Sequence, residues 1–360
     1  MASTTAEIPS SVDGVTPQWL TAALRADPTT SGSPVVTDVR AEQIALDSGF
    51  SSLLYRVHLS GSADLPSTLI VKLPARSEAR GAMEMLGGYR RELSFYRDIA
   101  GRAPIDTPHV YVSRIADDSA DFVLVMEDLQ GWENADHLAG LSLERARLCI
   151  GQLAGLHAWS LREAKTDVLE QVPSLDTPIA RDLLHPAFGP GWQIYLEKSG
   201  STVPSAVAQY AERFAEHACA ALAGLTERSM LLHGDIRADN MFFAGDRLKV
   251  VDFQFTARGV GGADIGYLVS QGLPLEVRRG HDEYLVREYL ERLAEQGVTD
   301  YSFDDAWRHY RIAVGYLLVL PVITLNGWDA MPERSRALCL TLTDRAVATI
   351  DEIGALEVFE

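Results

Sequence analysis

Cysteine is scarce in this chain. The 360 residues include three, Cys149, Cys219 and Cys339, far apart and in no CxxC or Cys/His grouping. Neither a disulfide framework nor a cysteine-built zinc site follows from such a pattern. Long apolar runs are also missing. The longest, Ile312 to Leu325, is too short for the ~20 residues that span a bilayer. Pro321 interrupts it, so it reads as a buried helix that ends or kinks at the proline. No Lys or Arg precedes Arg25 and no apolar h-region opens the chain, so a secretory signal is not expected. The expectations are a reducing, cytoplasmic setting and no membrane partner. Positive charge is in deficit, with 32 Lys and Arg against 50 Asp and Glu, a net charge of −18. Such a surface repels phosphate backbones, which argues against a nucleic-acid partner. It is compatible with cationic substrates, although solubility is the simpler use of the charge. No internal repeat or low-complexity tract is visible.

What is there is an ordinary globular mixture, 47% hydrophobic and 23% charged. The length suggests roughly two domains at about 150 residues each. Residues 1–35 are polar and read as an N-terminal extension. They hold one helical patch, Thr16 to Leu24, with Pro17 suited to a helix start, and a linker-like SGSPV at 31–35. Strand-like runs follow at Tyr55–Leu59, Ser67–Leu73, His109–Ile115 and Asp121–Glu127. A break at Gly87-Gly88 leads into one helical stretch, Tyr89 to Ala100. Helical periodicity takes over at Leu143–Arg162, with Ala146, Cys149, Ile150 and Leu153 on one face. It recurs at 203–224, 281–297, 303–320 and 334–353, around a β-rich island at Met230–Phe255. The expected fold is therefore α+β and bilobal. Residues 36–129 form a small β-rich lobe with one helix, residues 130–360 form a larger helical lobe, and the cleft between them is the expected ligand site.

The island carries the chemistry. It reads LLHGDIRADNMFFAGDRLKVVDFQF, residues 231–255. Gly234 permits a tight turn. Phe242-Phe243 and Leu248–Val251 flank Ala244-Gly245-Asp246 as a hairpin, with Asp252 at its end. Asp235, Asn240 and Asp252 thus converge at one edge, and their oxygens suit Mg²⁺, a hard ion that also keeps substrate phosphates in its shell. His233, Asp235 and Asn240 match the kinase pattern H-x-D-x-x-x-x-N, and Asp252-Phe253-Gln254 occupies the DFG position. The segment resembles the aminoglycoside phosphotransferase and choline kinase superfamily. DFQ in place of DFG, and the early TPQWL patch, resemble its choline/ecdysteroid-kinase-like branch.

That resemblance runs from about residue 40 to 270 and implies a protein-kinase-like fold with ATP and Mg²⁺ as cofactors. It implies that Lys72, the lone charge in the apolar strand LIVKL, contacts the α/β-phosphates and that Glu92 orients it. Glu84 is the competing glutamate, separated from the periodic part of the helix by the glycine pair. Met126, Glu127 and Leu129 are implied at the adenine, and Asn240 and Asp252 at the metal. Asp235 is implied to accept or orient the proton of a substrate hydroxyl, with Arg237 offsetting charge on the phosphoryl oxygens. Ala263-Asp264-Ile265 resembles the Asp-Leu pair that follows the metal site. One departure is plain: the glycine-rich loop is reduced to DSGFSS at 47–52, so backbone N–H groups with Ser51 and Ser52 are expected to cover the phosphates. His157 and His233 read as scaffold histidines, and Trp307, Tyr310 and Tyr316 as core. About a dozen residues separate Asp252 from Asp264 and no APE motif follows. That leaves no platform for a peptide, so the expected partner is a small hydroxylated acceptor. The acceptor pocket is expected around 170–200, where PAFGPGW (186–192) reads as a loop, and in the C-terminal helices. Two rivals stand beside this reading: a nucleotide-binding pseudokinase and a two-metal phosphate-ester hydrolase.

Overall fold

The computed structural model describes residues 8–30, 32–45, 52–75, 78–117, 119–163 and 167–359. Two compact units emerge. The first is Met1–Ala100 with Thr107–Trp132, and the second is Gly101–Asp106 with Glu133–Glu360.

The first unit is built on an antiparallel sheet of β1 (Val36–Ile44), β2 (Ser52–Gly61), β3 (Thr68–Pro74), β4 (Val110–Ile115) and β5 (Phe122–Glu127), in the order β1-β2-β3-β5-β4. Its helices are α1 (Pro17–Ala26), α2 (Glu78–Met85) and α3 (Gly88–Ser94), the last running into a π-turn at Phe95–Ile99. Side chains alternate across a strand. Leu69, Val71 and Leu73 of β3, with Val123 and Val125 of β5, pack against Leu20, Ala23 and Leu24 of α1. Lys72 and its cross-strand partner Leu124 therefore face the other way, the side on which Tyr89 of α3 meets Phe122 at 4.8 Å.

Three sequence expectations change here. The helical patch begins as expected, with Thr16 accepting from the Trp19 amide and Pro17 at the first helical position. However, α1 is an integral layer of the first unit, because its apolar face has only that sheet to bury against. Among the described residues, 36–129 also hold two α-helices rather than one, since α2 precedes the glycine break. β1 carried no strand signal: most of its residues are exposed, although Val36 and Val39 pack toward the core.

The second unit is mostly helical: α4 (Leu143–Arg162), α5 (Asp167–Glu170), α6 (His185–Lys198), α7 (Ser205–Glu212), α8 (Phe214–Leu225), α9 (Gly262–Gly272), α10 (Leu275–Arg278), α11 (Asp282–Glu295), α12 (Phe303–Leu317), α13 (Val319–Thr324) and α14 (Glu333–Glu352). Two small sheets cross it. One is the β8–β9 hairpin (Met241–Ala244, Arg247–Val250) flanked by β6 (Glu133–Asn134), and the other pairs β7 (Met230–Leu232) with β10 (Ala257–Gly259). The apolar run at 312–325 breaks between α12 and α13, with Pro321 inside α13. PAFGPGW is not a loop. It lies within α6 because Phe188, Trp192 and Tyr195 are buried there, and Phe188 stacks on Phe214 at 4.0 Å. Burial of three aromatics on one face outweighs the helix-breaking tendency of Pro190, which sits on the exposed side.

Candidate active site

In the first unit, Lys72 and Glu92 meet. The Lys72 Nζ donates to both Glu92 carboxylate oxygens at 2.7 and 2.8 Å, and the two side chains are 7% and 1% exposed. Neither charge is tolerable at that depth without the other. Glu84 lies on α2, and the turn between α2 and α3 takes Gly87 through φ +69. Met126 is on the Lys72 face of β5 and is buried. The Glu127 amide donates to the His109 carbonyl at 2.8 Å, and its carboxylate accepts the His109 amide at 3.0 Å. Leu129 accepts from the Trp132 amide at 3.1 Å, and among the described residues its own N–H has no acceptor. Asp128, between them, is held by Arg56 of β2 in a two-pronged pair (Nε–Oδ2 2.7 Å, Nη2–Oδ1 3.2 Å). Ser52 opens β2 with its hydroxyl buried and, among the described residues, without a partner, and Ser51 and the rest of residues 47–51 lie outside the described residues.

In the second unit, the catalytic-loop motif is organised from beneath by Asp264 of α9. Its Oδ2 accepts the His233 amide (2.8 Å) and meets His157 Nε2 (3.2 Å), while Oδ1 accepts the Gly234 amide (3.0 Å). Burial pushes this carboxyl up, but the hydrogen bonds from His157 and the Gly234 amide outweigh it, so Asp264 titrates below the usual range. His157 is fully buried and its Nδ1 meets the Tyr289 hydroxyl at 2.8 Å, a scaffold role. His233 accepts the Asp235 amide at Nδ1 (3.2 Å), and its other nitrogen therefore carries the proton toward the Val251 carbonyl (3.1 Å). Gly234 is required: its φ is +80, and a Cβ there would sit 2.1 Å from the Phe255 carbonyl oxygen.

Asp235 stands above this scaffold. Arg237 Nε lies 3.1 Å from its Oδ1, and the Tyr267 hydroxyl donates to the same oxygen at 3.4 Å. The Asp235 charge raises the Arg237 pKa above its ordinary value against the opposing effect of burial. Burial, then Asp235, drives the Tyr267 phenol far above its ordinary range, so it acts only as a neutral donor. Asn240 gives its amide nitrogen to the Asp235 carbonyl at 2.9 Å, so its side-chain oxygen is the atom that could hold a metal. The Asn240 carbonyl accepts the Val251 amide at 3.0 Å, tying the loop to the strand end before Asp252. Asp252 adopts φ +68, an uncommon conformation for a non-glycine residue. Two oxygen donors with phosphates completing the shell fit Mg²⁺. Among the described residues no group of three or more His, Cys, Asp or Glu could hold a metal.

The family model for ecdysteroid kinase-like proteins matches residues 47–299, more than half of the sequence. The chain belongs to the ecdysteroid kinase-like family. Among curated proteins, no sequence matches. Solved structures share the fold at low identity. A choline kinase from Cryptosporidium parvum Iowa II is 13% identical with a TM-score of 0.59, over 93% of this chain and 96% of its own. A putative aminoglycoside phosphotransferase from Ralstonia eutropha JMP134 is 16% identical with a TM-score of 0.53, over 94% and 97%. The GDP complex of wild-type aminoglycoside 2'-phosphotransferase-IIIa is 17% identical with a TM-score of 0.54, over 92% and 98%. This ecdysteroid kinase-like chain thus has the choline kinase and aminoglycoside phosphotransferase fold. Sequence reasoning missed Tyr267 and His137 beside its catalytic loop. Tyr267 had a faint signal, one helical turn after Asp264 on the same face of α9, and His137 had none.

Proposed function

We propose that the chain transfers the γ-phosphate of ATP to a hydroxyl of a small-molecule acceptor. The observation that carries the reading is the Asp235 constellation, a carboxylate flanked by Arg237, with the Asn240 oxygen freed by the bond of its amide to the Asp235 carbonyl. Family membership supports it, as do fold relatives whose names specify kinases of choline and aminoglycosides, one of them in complex with GDP. In this reading Lys72, held by Glu92, binds the α/β-phosphates. Backbone groups of Glu127 and Leu129 take the adenine beside Met126, and Ser51 and Ser52 cover the phosphates. Asn240 and Asp252 hold Mg²⁺, which when bound offsets phosphate charge. Asp235 orients the acceptor hydroxyl and takes its proton as the new oxygen–phosphorus bond forms and the bond to the β-phosphate bridging oxygen breaks. Arg237 offsets charge on the transferring group. The transition state is largely dissociative, so positioning outweighs base strength. A small acceptor is favoured because α9 begins at Gly262, soon after Asp252, and β10 occupies the interval.

The test is Mg·ATP with a panel of aminoglycosides, choline-like amines, sugars, sterols and hydroxyacyl compounds, read as ADP and phosphorylated product by mass spectrometry. Acceptor-dependent ADP release that vanishes in Asp252→Ala is expected. Asp235→Ala should cut turnover by about 10²–10⁴-fold with ATP affinity retained; equal loss of ATP affinity refutes the role given to Asp235. Tight ATP binding without transfer would leave either an acceptor outside the panel or a pseudokinase, and no ATP binding sinks the reading.

A further inference from the structure

The catalytic loop is gripped from a second side, by the segment between β6 and α4. Asn134 donates its amide to the Asp239 and Met241 carbonyls at 2.8 and 3.1 Å, and the Ala135 amide donates to the Met241 carbonyl at 3.0 Å. His137 then makes a reciprocal pair with the loop. Its backbone N–H donates to Asp239 Oδ1 at 2.9 Å, and its ring Nδ1 accepts the Ala238 N–H at 2.9 Å. Ala238 opens the short 3-10 turn Ala238–Asn240, whose first amide has no partner within the turn. A peptide N–H can only donate, so His137 Nδ1 must be bare and the ring proton must sit on Nε2. The ring is 1% exposed, and among the described residues Nε2 has no partner. Arg345 of α14 braces the segment by donating to the carbonyls of His137 (3.0 Å) and Leu138 (2.8 Å).

We propose that His137 is a positioning residue of the catalytic loop: by accepting the Ala238 amide it fixes the turn that carries Asn240 and sets its spacing from Asp235. Burial, with Arg237 and Arg345 nearby, keeps the ring neutral, as this bond requires. The effect on turnover rests on the phosphotransfer reading above, whereas the bond itself does not.

Two variants separate the roles. In His137→Asn the side-chain oxygen falls near the position of Nδ1 and can accept the same amide, whereas His137→Leu fills the space and cannot. ¹⁵N NMR of the wild-type ring should show the Nε2–H tautomer near neutral pH. Hydrogen exchange at residues 238–240 should accelerate about tenfold or more in His137→Leu and return toward wild type in His137→Asn. Turnover with Mg·ATP and the best acceptor of the panel should fall roughly 10–100-fold in His137→Leu, a loss typical of outer positioning groups, with ATP affinity kept. His137→Asn should recover most of it. An Nδ1–H tautomer, unchanged exchange in His137→Leu, or no rescue by Asn overturns the proposal. If wild type transfers phosphate to nothing, the functional reading fails, and the tautomer and exchange results still decide the bond. If His137→Leu does not fold, the tautomer and the Asn variant decide it.

Discussion

Lys72 and Glu92 show how a residue's neighbours set its energetic weight. Period-two alternation in LIVKL turned Lys72 away from the α1 side, and a lone charge on an apolar strand needed a partner, so this residue was legible. Sequence preferred Glu92 to Glu84 as its partner because the glycine pair sets Glu84 apart, and Lys72 meets Glu92 in the structure. Lys72→Met should destabilise the protein by about 3–5 kcal/mol, because it strands a carboxylate that is 1% exposed. The double variant Lys72→Met/Glu92→Leu should recover most of that loss, since both charges go together. Urea unfolding of the three proteins measures it, and a double variant as unstable as the single one would mean that the pair's charges are not what matters. Tyr267 was only faintly legible by contrast. A tyrosine in an apolar helix reads as core, and only the fold brings its hydroxyl to Asp235.

At the scale of elements, the misread segment is α6. Proline and glycine at 186–191 signal a loop by local propensity, yet the aromatic face is buried and the chain stays helical. Gly191 is part of the reason it packs: a Cβ there would lie 2.1 Å from the Val322 carbonyl oxygen of α13. Gly191→Ala should therefore lower stability by about 1–3 kcal/mol through overpacking, although alanine is the better helix former by about 1 kcal/mol. Thermal unfolding checks it, and a higher midpoint would show that α6 and α13 have room to separate. β1 is the opposite case, an exposed edge strand identified only by its pairing with β2.

For the whole molecule, buried histidines govern the acid side of stability. His137, His185 and His309 are all held below the ordinary value of 6.5, in each case first by burial. In the unfolded chain they take up protons as the pH falls through about 6.5, while the folded chain resists, so stability is lost progressively from there downward. Asp264 works lower on the scale. Its folded pKa is below 3.8, so its contribution is intact above that value and disappears only as the pH falls beneath it. The thermal midpoint should thus begin to drop between about pH 7 and 6, well before the carboxylates protonate. A flat profile down to pH 5 would contradict the burial of these rings.

Sequence alone determined what short stretches of chain enforce. His233, Gly234, Asp235 and Asn240 fall within eight positions, and the hairpin that follows carries Asp252 by its own turn. The lone lysine of LIVKL is set by the pleat of its strand. Only the tertiary structure decided which groups hold these in place. His137 meets Ala238 across 101 positions, His157 meets Tyr289 across 132, and Asp264 reaches back 31 to the His233 amide. Such pairings depend on how buried faces of distant elements pack, and no local pattern of residues encodes that.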